Sequence, residues 1–174
     1  MTSDVYPLQP TDLVRVLPRL MLAWDGQWFL KVYDEFDWET ASRINARVRA
    51  AFGRIEMRTM LQVLGKRRAD DLSDALRVLR TYIENVFAAG FVGDYRVEGT
   101  RLDAYIMTCA AWEGSKRAAL ERTDQACIAC ETLWIAWFKT LLPNRSFEFD
   151  IQGRMGYGDP RCHFILKFER IFGE

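Results

Sequence analysis

The chain has 174 residues, and its 24 Lys+Arg balance 24 Asp+Glu to a formal net charge of +0. Such a chain projects no long-range field that would draw in nucleic acid or an anionic membrane, so neither is an expected partner. Hydrophobic residues make up 49% and charged residues 28%, the balance of a globular chain, and the length suits a single domain, 1–174, with a substantial core.

Residues 1–10, with Pro7 and Pro10, read as an extended arm. Thr11-Asp12 then caps a short helix that Pro18 interrupts or restarts. Leu20, Trp24, Trp28, Val32 and Phe36 form an i, i+4 apolar line through 19–36. Asp37 caps a long helix, 38–64, whose core stripe is Ala41, Ile44, Val48, Ala51, Phe52, Ile55, Leu61 and Leu64, with Gly65 as its left-handed stop. The arginines of this helix read as a solvated face, because no aromatic residues interleave them as a nucleic-acid surface would require. Asp70 or Asp71 opens a third helix with Leu72, Leu76, Leu79, Ile83, Val86 and Phe87 inward, and Gly90 follows its end.

From there the hydrophobic period changes to two. Tyr95 and Val97 alternate, Gly99-Thr100 turns, and Leu102, Ala104, Ile106 and Thr108 alternate back to Cys109, the pattern of a hairpin. Cys127, Cys130, Trp134, Trp137 and Leu141 then lie at spacings of three and four, one stripe of a helix that Thr123 or Asp124 would cap and Pro143-Asn144 would close. Phe147, Phe149 and Ile151 alternate on a strand, glycines 153, 156 and 158 turn the chain, and Cys162, Phe164, Leu166 and Phe168 return. The fold class is therefore α+β: N-terminal helices over 1–90, then a small antiparallel sheet of hairpin–helix–hairpin order over 91–174.

The four cysteines, Cys109, Cys127, Cys130 and Cys162, follow the spacing C-x17-C-x2-C-x31-C. Four thiolates would make a closed zinc site or hold an iron–sulfur cluster. Free cysteine is also a small hydrophobe that packs well beside tryptophan, and a C-x-x-C pair also serves redox chemistry or a disulfide. All three uses suit the pattern. No apolar run approaches the roughly 18–20 residues of a membrane span, and M-T-S-D-V-Y-P lacks the basic and apolar regions of a secretory leader. The expected location is the cytoplasm, where thiols stay reduced.

Six tryptophans and eleven phenylalanines furnish walls for an apolar pocket. Trp24, Trp28, Trp134 and Trp137 are the expected wall, with Asp25, Glu56 and Arg117 orienting a polar group and Trp112 at the mouth. Glu56 in an aromatic setting would act as a general base, or else pair with arginines a turn away. His163 is the lone histidine and neighbours Cys162, so strand alternation turns it to the opposite face.

G-Y-G-D-P-R-C-H-F-I-L, following a strand and an aromatic helix, resembles the C-terminal signature of 4-vinyl-reductase-type ligand-sensing domains. It is also similar to the end of L-2-amino-thiazoline-4-carboxylate hydrolase-like proteins. M-L-A-W-D-G-Q-W-F at 21–29 and A-F-G-R-I-E-M-R at 51–58 look like an uncharacterised bacterial family of similar length, which brings no established activity. The sensor resemblance implies a zinc ligand at Cys162 and another at Cys127 or Cys130. The family's cysteine eight positions before the last falls on Arg154, so a metal here would need Cys109 or the second helix cysteine.

The function expected from these residues and this resemblance is a small-molecule-binding, sensor-like domain with a cysteine-ligated structural metal, zinc before iron–sulfur. The alternative is a hydrolase of a small heterocycle with a cysteine nucleophile or a metal-activated water. A homodimer in which the tryptophans cover a partner's surface is a further expected association.

Overall fold

The computed structural model describes residues 6–87, 90–120, 122 and 127–169, with Ile128 described by its backbone alone. Helix α1 runs Pro10–Glu35 without a break. Gln9 caps it, its N–H reaching the Asp12 carboxylate at 3.2 Å, so the arm ends one residue sooner than its prolines suggest. Pro18 sits inside the helix and is buried. A proline removes one rung of the backbone ladder, and here the loss is absorbed without ending the helix.

Helix α2, Trp38–Val63, is capped by Asp37, which accepts from the Thr40 N–H at 2.7 Å, and Gly65 past its end is left-handed at φ +66°. Its expected core stripe is corrected. Val48, Phe52 and Ile55 are exposed, at 38%, 36% and 50% of their surface. Ala51 and Leu64 are exposed as well, and the buried face keeps Ala41 and Leu61 of that stripe and adds Ser42, Gly53, Glu56, Met57 and Met60. Each of Val48, Phe52 and Ile55 lies one residue before its inward-facing neighbour, Arg49, Gly53 or Glu56, and one residue is about 100° of helix rotation. A similar correction applies to α1, where Leu20, Trp24 and Phe36 of the apolar line are exposed and Met21 and Leu22 pack on the core instead.

Helix α3, Leu72–Asn85, opens at Asp71 and buries Leu72, Leu76, Leu79 and Ile83 as its period requires, with Tyr82 beside them. Val86 is 43% exposed, a departure explained by its place at the C-cap. The hairpin follows as β1, Phe91–Glu98, and β2, Arg101–Cys109. A short helix α4, Ala110–Arg117, comes directly after Cys109 and was not marked by any periodic pattern. Helix α5 spans Ile128–Leu141 with Cys127 as N-cap; Thr123 and Asp124, the expected caps, lie outside the described residues. Strands β3, Phe147–Gly153, and β4, Cys162–Phe168, flank a single 3-10 turn at Met155–Tyr157.

The sheet is antiparallel throughout, in the order β1-β2-β4-β3. The two hairpins join through β2 and β4, with Ile106 opposite Cys162. Helix α5 lies across one sheet face: the Trp134 ring is 5.3 Å from Phe164, and Phe138 is 6.0 Å from Phe168. The other face is polar, where His163 meets Asp103 at 2.7 Å and stacks on Tyr105. The histidine therefore points away from Cys162, as alternation requires.

Helix α5 also packs along α2, and Gly53 sets their separation. A Cβ there would stand 2.8 Å from Leu133 Cδ1 and 3.3 Å from Trp137 Cδ1. Gly53→Val is expected to lower stability by about 1–3 kcal/mol through overpacking, read as a lower urea midpoint at unchanged slope. A variant as stable as the parent would mean the two helices slide apart freely.

Candidate functional site

The pairing of β2 with β4 brings the end of one strand and the start of the other to the same end of the sheet. Cys109 closes β2, Cys162 opens β4, and the first turn of α5, with Cys127 and Cys130, passes over that end. All four thiols line one cavity of about 860 Å³. Its remaining walls include Leu22, Phe29 and Leu30 of α1, Trp112 of α4, Phe91 of β1 and Leu133 of α5.

The sulfurs form no disulfide, and burial favours the protonated form at Cys109, Cys130 and Cys162. Burial pushes Cys109 up to about 11, only partly offset by the N–H groups of Trp112 and Ala111. Burial likewise raises Cys130 well above the ordinary thiol value, with the other three cysteines adding to it. Cys162 is raised for the same reason, while the Met155 N–H at 3.4 Å works in the opposite direction. Neutral thiols of this kind behave as small apolar groups.

Four sulfurs are the right chemistry for zinc, but ligation needs thiolates at about 2.3 Å. Among the described residues, no three His, Cys, Asp or Glu side chains stand close enough together to hold a metal ion. In this arrangement the residues do not fit a closed metal site.

The polar groups are distributed unevenly. Asp25, Trp112 and Arg117 line the cavity. Trp24 is 71% exposed and Trp28 half-buried, and neither lines it. Trp134 and Trp137 are wholly buried in the core behind it. Glu56 is also behind the wall, 5% exposed, and the arginine it pairs with is Arg49, two turns away rather than one. One oxygen accepts from Tyr82 Oη and the other from Trp137 Nε1, both at 2.6 Å, and Arg49 stands at 3.9 Å. Burial, then the Glu56 charge, pushes the Tyr82 phenol far above its usual value, so it remains a donor. With both oxygens engaged, Glu56 offers the cavity no base.

On α2 the cavity is lined by Ser42, Asn45 and Arg49, none of them among the expected site residues. With Gly53 and Glu56 they form a stripe at spacings of three and four along α2. That stripe is legible in the sequence, one residue out of step with the apolar one, but polar residues at helical spacing ordinarily mark the solvent face.

No protein-family model matches the chain, and no curated protein matches it in sequence. Similarity appears in the fold. A trafficking protein particle complex subunit 3 from Naegleria fowleri, solved with palmitic acid covalently bound, superposes at TM-score 0.58 with 10% identity, covering 92% of this chain and 99% of that one. The phenol-responsive sensory domain of the transcription activator PoxR, solved with phenol, gives 0.54 and 12%, over 84% and 73%. An H-NOX domain from Shewanella oneidensis in its Fe(II)CO state gives 0.50 and 14%, over 84% and 76%. The chain therefore shares a fold with ligand-sensing domains and with a trafficking-complex subunit.

Since the thiolate is the reactive form, alkylation of Cys109 in a variant lacking the other three cysteines should be slow at pH 7–8 and climb toward about pH 11. A midpoint near the ordinary thiol value, read from the iodoacetamide rate against pH, would show the sulfur to be solvated.

Proposed function

We propose that this chain is a small-molecule-binding, sensor-like domain whose ligand occupies the cavity between the helices and the end of the sheet. The observation that carries the proposal is the cavity itself: about 860 Å³, walled mostly by apolar side chains, with polar and charged groups that include Asp25, Arg49 and Arg117, a make-up suited to a ligand pocket. The fold relatives support it, because one is a sensory domain with phenol and another carries palmitic acid. Asp25, Trp112 and Arg117 contact the ligand in this proposal, while Glu56, Trp134 and Trp137 brace the wall from behind. Kinship with 4-vinyl-reductase-type sensors is the finer form of the same proposal, supported by the G-Y-G-D-P-R-C-H-F-I-L segment.

A hydrolase with a cysteine nucleophile is the poorer account. Burial favours the protonated thiol at Cys109, Cys130 and Cys162, and the lone histidine is engaged with Asp103 on the opposite sheet face. A nucleophilic cysteine needs a base within hydrogen-bond reach. Zinc, or an iron–sulfur cluster, is a separate proposal on the same sulfurs, which would have to lose their protons and draw together; nothing above depends on it. A homodimer would use the exposed Leu17, Leu20 and Trp24 of α1.

Zinc near one equivalent in untagged protein, lost in Cys162→Ser, would support the metal proposal, and a small fraction of an equivalent would leave the thiols as apolar lining. The pocket has its own test in Gly114, which lines the cavity and has open space where a Cβ would stand. An aromatic ligand at a hundredfold excess over its Kd should stabilise the parent by about 2.7 kcal/mol. Gly114→Phe should keep the unliganded melting temperature and lose the ligand-induced rise. Equal rises in both proteins would place binding elsewhere.

A further inference from the structure

One guanidinium on the cavity wall is mostly out of water and still lacks acceptors. Arg49 of α2 lines the cavity, and its side chain is 11% exposed. Among the described residues the carboxylates it meets are Asp25 and Glu56, each at 3.9 Å. That is an ion-pair distance, too long for a hydrogen bond. Both oxygens of Glu56 are already taken by Tyr82 and Trp137. The guanidinium nitrogens are not sealed from solvent, whereas Ser42 Oγ and Asn45 Oδ1 on the same helix are. The group stands 6.0 Å from the Phe52 and Phe87 rings. A planar fork of donors in this setting matches the two oxygens of a carboxylate.

The charge of the whole wall favours an anionic guest. Four guanidiniums line the cavity, those of Arg19, Arg49, Arg117 and Arg154, against the carboxylates of Asp25 and Glu113. Their ion-pair partners behind the wall are Glu56, Glu131 at 3.8 Å from Arg154, and Lys116 at 2.7 Å from Glu113. Five cations therefore meet four anions among the described residues. Arg19 and Arg117 are the lining cations with no carboxylate in ion-pair reach there. A monoanion neutralises an excess of one charge. A phosphate monoester, with about two negative charges near pH 7, overshoots it.

We infer that Arg49 anchors the head of an aromatic monocarboxylate, whose ring lies against Phe29, Phe87 and Phe91. The inference rests on the pocket proposed above and adds the chemical class of its occupant. The ring follows from the place of the anchor: Phe87 lies beside Arg49, and Phe91 is 5.5 Å from Phe87, so the aromatic wall begins at the head. The ligand's oxygens accept from the guanidinium. Asp25 approaches the same guanidinium from α1 and opposes the head, and Arg19 and Arg117 offset that opposition at longer range.

The test measures 2-naphthoate, naphthalene, 2-naphthyl phosphate and decanoate on the full chain at pH 7, by calorimetry. Naphthoate is expected to bind roughly tenfold or more tighter than naphthalene, the worth of about one hydrogen bond to a charged group. It should also bind tighter than the phosphate and than decanoate. Arg49→Gln should erase the preference over naphthalene, and Arg49→Lys should keep part of it. Asp25→Asn should tighten naphthoate binding several-fold and leave naphthalene unchanged, a gain that a damaged fold does not produce. Naphthalene binding as tightly as naphthoate, a preference that survives Arg49→Gln, or no tightening in Asp25→Asn would overturn the anchor. Tighter binding of the phosphate or of decanoate would overturn the ligand class. In each of these cases, signals lost in Gly114→Phe would keep the pocket. Failure of all four probes to bind, or binding that Gly114→Phe leaves intact, would overturn both.

Discussion

The buried carboxylate of Glu56 is the constraint on which the rest of the structure depends. Removing an ionised carboxylate from water costs several kcal/mol unless it is well paired, and here three elements combine to pair it. Glu56 belongs to α2, Tyr82 to α3 and Trp137 to α5, and the two donors stand at 2.6 Å. Arg49 carries the connection on toward Asp25 of α1. No one helix can satisfy this group alone, so the charge is tolerable only when α2, α3 and α5 are docked together. That fixes the rotation of α2, and with it which face of that helix looks into the cavity.

Once α2 is turned in this way, the remaining contacts follow from shape. Gly53 lets α5 approach closely, which places Trp134 and Phe138 on the sheet. The sheet in turn joins its two hairpins at β2 and β4, and the first turn of α5 lies above that junction. The cysteines meet there because of strand register, with Ile106 opposite Cys162. The same docking that seals the core behind α5 leaves the space beside its first turn unfilled. The cavity lies where the core ends, and the four thiols line it.

The polar stripe of α2 then has two environments. At its C-terminal end Glu56 is saturated by neighbouring side chains. At its N-terminal end Ser42 Oγ and Asn45 Oδ1 are buried without hydrogen-bond partners, on residues that line the cavity. Burying hydroxyl and amide groups unpaired works against stability, so this end of the helix is where the fold gives up stability at a concave site, a pattern that belongs to binding sites more than to cores.

Periodicity by itself determined the element order apart from the short helix α4. Three N-terminal helices, a hairpin ending at Cys109, an aromatic helix and a returning hairpin are written as runs of period 3.6 and period 2, because each element buries one face. The caps at Asp37 and Asp71 and the left-handed Gly65 are local chemistry and are equally legible. Two cysteines at strand ends and two at a helix start permit a convergence, which the β2–β4 pairing then brings about. What only the tertiary structure decided is which side of α2 faces inward. Val48, Phe52 and Ile55 suggest one face, and the fold buries Ser42, Gly53 and Glu56 instead, about one residue around the helix. Hydrophobic pattern weighs each side chain against water alone, whereas Glu56 is stabilised by a phenol and an indole from segments 26 and 81 residues away. Such partners exist only once the chain has folded, and they outweigh the three apolar groups left outside.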